Sequence, residues 1–157
     1  MARARVLILL LVVASCKQQP GITDAEKAEI VAEVRQTLQN YHDEIRKSGL
    51  NAEFKYLDNS SEFFWVPPGY SGPIFYDSVA STIKSNAAKY KSVDNVFDTL
   101  HIVALSKRYA TYTGRLRSTM IDTSGQTNTY IMLETGILTK RSEGWKLLSG
   151  QTGIVKQ

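Results

Sequence analysis

The sequence predicts an α+β domain, on three observations. Near the N-terminal end, apolar residues recur at helical spacing at Ile30, Val31, Val34, Leu38, Tyr41 and Ile45. From about residue 93 the pattern changes to period two over four long segments. Those segments are separated by "SKR", "DTSG" and "RSEG", and the last two carry glycine where a hairpin needs positive φ. Helices first and consecutive antiparallel strands after them imply helices packed on one face of a meander.

The chain opens with an export signal rather than with the domain. Met1-Ala2-Arg3-Ala4-Arg5 is a basic start, and Val6 to Ala14 carry no polar side chain. Those nine residues would span roughly 14 Å as a helix, against a hydrocarbon core of about 30 Å, so they cannot cross a bilayer alone. Val13-Ala14-Ser15-Cys16 resembles the bacterial lipobox, although ordinary signal cleavage after Ser15 fits the same small residues. Cys16 is the only cysteine, so it has no intramolecular disulfide partner, and an exposed free thiol on an exported protein is a liability. The resemblance implies lipidation of Cys16 and anchoring to the bacterial cell envelope, with inner and outer membrane both open. Residues 1–15 are then the signal peptide, 16–22 the lipidated cysteine and a short linker, and 23–157 the domain. The linker Lys17–Ile22 reaches at most about 20 Å, which keeps the domain close to the membrane surface.

Within the domain, Thr23-Asp24-Ala25-Glu26 reads as a capping box that starts the first helix, and Ser48-Gly49 supplies its left-handed stop. A second short helix is expected over Asn51–Leu57. "EFFWV" (62–66) is aromatic and β-branched enough for a strand, ended by Pro67-Pro68-Gly69. "IFY" (74–76) returns as a short strand before Asp77 or Ser78 caps a third helix, with Val79, Ile83, Ala87 and Tyr90 on one face. Strands follow at 94–106, 109–121, 127–140 and 145–155.

Charge excludes some partners. Loss of Arg3 and Arg5 with the signal would lower the formal charge from +4 to +2, and no block of like charge remains, which argues against nucleic acid as a partner. There is no His-x₃-His and no cysteine pair, so neither a metal nor another cofactor is expected. No Gly-x-Ser-x-Gly elbow is present for a serine nucleophile.

The order of elements over 24–155, with "YATYTGRL" (109–116) and "GILTKRSEGWKLLSGQTG" (136–153), resembles the nuclear transport factor 2-like superfamily and its SnoaL-like branch. The resemblance implies a cone: a strongly curved antiparallel sheet and three helices, a cystatin-like roll around an apolar pocket. It specifies a pocket rather than a reaction.

Five residues are candidates for that pocket: Tyr41, Trp65, Glu134, Ser149 and Gln151. Alternation puts Trp145, Leu147, Ser149 and Gln151 on one side of the last strand, and by the resemblance Ser149 and Gln151 look into the cone where many relatives carry histidine. A hydroxyl and an amide can fix a ligand but are not bases near pH 7. Tyr41 lies about 30° from the centre of the apolar stripe of its helix, at a place similar to the oxyanion tyrosine of ketosteroid isomerases. Where those enzymes have a carboxylate before a proline, this chain reads Trp65-Val66-Pro67. Glu134 alternates with Tyr130, Met132 and Leu138 on a largely apolar face, and an ion pair with Arg115 or Arg117 is the plainer reading of it. His42, about 70° off the stripe, reads as a surface histidine, and the direction of His101 is open.

These features favour a membrane-anchored lipoprotein whose cone binds a small, mostly apolar molecule without turning it over. One alternative is a SnoaL-like isomerase, lyase or cyclase with Glu134 or His101 as base and Tyr41 as hydrogen-bond donor. Another is a non-catalytic module that forms a homodimer through an exposed sheet face.

Overall fold

The computed structural model describes residues 21–155; Cys16, the expected signal (1–15) and most of the expected linker (16–22) lie outside the described residues. Helix α1 (Asp24–Ser48) starts at Thr23, whose side chain accepts from the Glu26 amide while the Glu26 carboxylate accepts from the Thr23 amide. It ends at Gly49, which has φ 79° and donates its N–H to the Ile45 carbonyl. A short 3₁₀ helix (Leu50–Lys55), strands β1 (Phe64–Val66) and β2 (Ile74–Phe75) and helix α2 (Tyr76–Ala87) follow. The chain closes with the long strands β3 (Tyr90–Ala104), β4 (Tyr109–Asp122), β5 (Thr127–Arg141) and β6 (Gly144–Ile154).

The element order matches the expectation from periodicity, with three corrections. The second helix is a 3₁₀ turn rather than an α-helix, and Tyr90 belongs to β3, not to the third helix, because α2 stops at Ala87. Neither Asp77 nor Ser78 caps α2, which starts at Tyr76 with Phe75 as its N-cap and no side-chain cap hydrogen bond. The last two hairpins turn at Gly125 (φ 91°) and Gly144 (φ 111°), the left-handed positions that glycine occupies without strain.

The strands form a six-stranded sheet in the order β2-β1-β6-β5-β4-β3. β1 runs parallel to β6, and the other neighbours are antiparallel. Three irregularities bend the sheet. Between Tyr90↔Asp122 and Ser92↔Ile121, Lys91 is an extra residue on β3. Between Phe97↔Leu116 and Thr99↔Arg115, Asp98 is an extra residue on β3. Between Ile137↔Ser149 and Leu138↔Leu147, Leu148 is an extra residue on β6. Each bulge increases the local twist, so the sheet curls around α1.

The core fills the concave side. Val34, Leu38 and Ile45 of α1 meet Ala110, Tyr112, Leu138 and Leu147 of the sheet, all buried. Each such aliphatic side chain contributes about 1.5–3 kcal/mol by leaving water. The outer face is more open, with Val96, Val103 and Leu133 among its exposed residues.

The segment after the 3₁₀ helix is tied to β6. The Leu147 amide donates to the Tyr56 carbonyl and the Asp58 amide to the Leu147 carbonyl, each at 2.8 Å. Arg141 clamps Asp58 with two parallel hydrogen bonds, Nε to Oδ1 and Nη2 to Oδ2, both at 2.8 Å. Together with the Gly49 turn, these contacts hold the 3₁₀ helix over the mouth of the curled sheet.

Candidate functional site

A cavity of about 460 Å³ lies between the concave sheet, the C-terminal half of α1, the 3₁₀ helix and α2. Its wall is mostly apolar, with Leu50, Ile83, Leu116 and Met132 among the lining residues. Volume and lining suit a small molecule with few polar groups.

Two hydrogen-bonded carboxyls face this space. Glu134 of β5 accepts from the Tyr112 hydroxyl at 2.7 Å through Oε1 and from the Thr152 hydroxyl at 3.1 Å through Oε2. Thr152 in turn accepts from Trp65 Nε1 at 3.0 Å, so a chain of donors runs from β1 through β6 to Glu134. Glu53, on the 3₁₀ helix, accepts from the Tyr41 hydroxyl at 3.0 Å through Oε2. Its Oε1 accepts no side-chain hydrogen bond among the described residues.

Glycines shape the wall behind these groups. Gly136 and Gly150 are cross-strand partners. A Cβ on Gly150 would come within 2.6 Å of the Trp65 ring, and one on Gly136 within 2.7 Å of the Tyr112 ring. Only bare backbone lets both rings lie against the sheet, with the Tyr112 hydroxyl on Glu134 and Trp65 Nε1 on Thr152.

Burial dominates the electrostatics. It pushes the Glu53 carboxyl up to about 7, against a smaller lowering from the Tyr41 hydrogen bond and with a further raising contribution from Glu134. Part of Glu53 is solvent-accessible, but that part opens onto the cavity, where protein surrounds it and desolvation persists. Burial likewise raises Glu134, opposed by its bonds from Tyr112 and Thr152. Burial raises both carboxyls, and the charge of Glu134 adds to the rise at Glu53, so the two titrate as a coupled pair. Tyr41 and Tyr112 are held protonated, first by burial and then by these carboxylates.

Of the five pocket candidates, Tyr41, Trp65 and Glu134 line the cavity. Ser149 and Gln151, expected to look into the cone, lie on the opposite face of β6. The bulge at Leu148 reverses the alternation, so Gly150 and Thr152 share the inner face with their partners Trp65 and Glu134. His101 is exposed, paired with Thr113 on the side opposite the buried Ile102 and Tyr112, so it is no base for this cavity. Glu134 makes no ion pair with Arg115 or Arg117; Arg117 bridges to Asp98 outside. His42 is buried instead of exposed, because the curled sheet covers a wider arc of α1 and brings the Phe97 ring to 5.0 Å from the imidazole.

The sequence reading missed Glu53. In an α-helix of period 3.6 its direction is ambiguous, but at three residues per turn Leu50, Glu53 and Tyr56 stack on one side. Leu50 and Glu53 both line the cavity. A period-three reading of "LNAEFKY" would have turned the carboxyl inward.

A curled sheet closed by helices over an internal carboxyl pair defines a cone-fold protein with an acidic cavity. The chain belongs to the SnoaL-like domain family, whose model matches residues 34–155. No curated protein matches it. Among solved structures it is similar to a nuclear transport factor 2-like superfamily protein from Salmonella enterica serovar Typhimurium, at 14% identity and TM-score 0.70, over 83% of this chain and 94% of that one. It is similar also to a protein with a cystatin-like fold from Caulobacter vibrioides, at 13% identity and TM-score 0.64, over 82% and 91%. A third is the hexachlorocyclohexane dehydrochlorinase LinA-type3 from Novosphingobium barchaimii, at 9% identity and TM-score 0.67, over 85% and 92%. At these identities the likeness establishes the fold alone.

Proposed function

We propose that this protein is an acid–base enzyme acting on a small, uncharged, largely apolar molecule, with Glu53 as the group that takes and returns a proton at carbon. The observation that carries this is Glu53 itself: a carboxyl in an apolar cavity, held by Tyr41 through one oxygen and brought to about 7 by burial. A base poised near the working pH is what proton transfer requires. When ionised Glu53 takes a proton from a carbon beside a carbonyl, the C–H electron pair moves toward the carbonyl oxygen. Glu134, whose carboxyl burial also raises, serves in its protonated form as the donor to that oxygen, so one site supplies a base and an acid. Returning the proton to another carbon makes the net change an isomerisation; loss of a leaving group with its bonding pair makes it an elimination. The fold's occurrence in a dehydrochlorinase agrees with this class of chemistry.

Among the described residues no lysine or arginine lines the cavity. An anionic substrate would meet two acids and no cation, which favours an uncharged one. The test uses α-tetralone, a neutral bicyclic ketone, in deuterated buffer. Wild-type protein should speed deuterium uptake at the carbon beside the carbonyl, and Glu53→Gln should lose that acceleration by about 100-fold or more. Binding of the ketone with no acceleration by the wild type would return the cone to a binding role without turnover.

Export and lipidation at Cys16 are proposed on the sequence alone, from the apolar N-terminus and the tripeptide before the cysteine. Labelling by a fatty-acid analogue should be lost in Cys16→Ala; unchanged labelling would refute the anchor.

A further inference from the structure

A second set of polar groups faces the cavity and has no part in the acid–base chemistry. Asn95 of β3 and Ser118 of β4 are direct cross-strand partners, and both line the cavity together with His42. Ser118 Oγ, Asn95 Oδ1 and both ring nitrogens of His42 are buried and have no hydrogen-bond partner among the described residues. Ser118 is 0% exposed and His42 6%. Native folds leave few buried polar atoms unpaired, because each forfeits its hydrogen bonds to water. Three such residues around one cavity form a set that an entering molecule completes.

Asn95 and Ser118 stand apart from Glu134, while the His42 ring lies 4.6 Å from the ring of Tyr41, the donor to Glu53. Ser118 stands four residues along β4 from Gly114, the cross-strand partner of Glu134, a distance of roughly 13 Å at 3.3 Å per residue. Leu116 and Met132, themselves cross-strand partners, line the cavity between. The His42 ring lies against Phe97, two residues from Asn95 on the same strand face.

The three residues offer both donors and acceptors, without charge. Burial pushes His42 down to about 4, so near neutral pH its ring has one N–H to donate and one nitrogen to accept. Asn95 Oδ1 accepts, and the Ser118 hydroxyl does either. A hydroxyl group matches this set, since it donates to Asn95 and accepts from Ser118 or His42; a carboxylate or phosphate finds no cation.

We propose that His42, Asn95 and Ser118 form a second, neutral subsite that binds a hydroxyl of the ligand at the end away from Glu134, so that the cavity takes an uncharged, hydroxylated, largely apolar molecule. This deepens the acid–base reading by naming the substrate class; it rests on the cavity being the ligand site and not on Glu53 moving a proton.

The test compares 2-naphthol with 2-methylnaphthalene, which differ by a hydroxyl in place of a methyl at nearly equal shape. Binding to the full-length protein is measured by equilibrium dialysis. Wild type should prefer 2-naphthol by about tenfold, as one good hydrogen bond allows. Asn95→Leu and Ser118→Ala should each bring the preference below about threefold, while Glu53→Gln retains it. A preference that survives both subsite variants, or that collapses in Glu53→Gln, would overturn the assignment, as would equal binding or no binding of the two probes by the wild type. The melting temperature supplies a second readout. Ser118→Ala removes an unpartnered buried hydroxyl and should raise it; a marked fall would assign Ser118 to the fold and overturn its role in the subsite. The deuterium-uptake result does not enter this comparison, so the two proposals can fail separately.

Discussion

The Tyr41 hydroxyl donates to Glu53 Oε2 across 3.0 Å and joins α1 to the 3₁₀ helix that follows it. This bond holds one oxygen of a cavity-lining carboxyl, and no side chain among the described residues donates to the other.

Glu53 should make stability fall as pH rises. Its folded-state value of about 7 lies above the ordinary carboxylate value, so the folded protein holds the proton more tightly than the unfolded chain. The stability this contributes is fully present below about pH 4.5 and is lost as pH rises through about 7. Glu53→Gln should therefore flatten this limb and be more stable than wild type at pH 8, by on the order of 1–3 kcal/mol after discounting for the cavity-exposed part of the group. Urea denaturation of both proteins at pH 5 and pH 8 checks it.

Tyr112→Phe should destabilise the fold by about 1–3 kcal/mol, because it strips one of two donors from a buried carboxyl and leaves the ring packing in place. Denaturant midpoints at constant m-value report this directly.

Gly150→Ala should displace Trp65. Its Cβ would collide with the Thr135 carbonyl oxygen and stand 2.6 Å from the indole, so either the strand or the ring must move. Overpacking of this kind costs about 1–3 kcal/mol. Loss of the Trp65 hydrogen bond to Thr152 should accompany it, seen as a shifted indole N–H resonance and a changed tryptophan emission maximum.

The Asp58–Arg141 clamp should govern the acid side. The Arg141 hydrogen bonds hold the Asp58 carboxyl below its ordinary range. A depressed value means stability present above the unfolded-state pKa of about 4 and lost as pH falls through the lower folded-state value. Arg141→Gln should cost about 2–3 kcal/mol at pH 7 and give a flatter decline between pH 4 and pH 2. It should also loosen the 3₁₀ helix, read as faster amide exchange at Tyr56 and Asp58.

The frame was legible because its signals are local. Thr23 with Glu26, Gly49, Gly125 and Gly144 mark their turns by side-chain and backbone chemistry that no tertiary contact overrides. The inward directions of Tyr41 and Glu134 followed from simple period counting on regular elements. Ser149 and Gln151 were misplaced because an extra residue, Leu148, reverses every side chain after it, and a bulge leaves no mark in the hydropathy pattern. His42 was read as a surface residue because the width of the buried arc on a helix depends on how far the sheet curls. Glu53 was missed because six residues are too few to separate a period of 3 from 3.6.

The titration of Glu53 in the intact protein bears most directly on its acid–base role. With glutamate labelled by ¹³C at the side-chain carboxyl, and Glu53→Gln used to assign the resonance, its shift is followed from pH 3 to pH 9. A midpoint near 7, coupled to a change at Glu134, is the expected result. A midpoint between about 4 and 5, the range of a solvated glutamate, would contradict a poised base in the cavity.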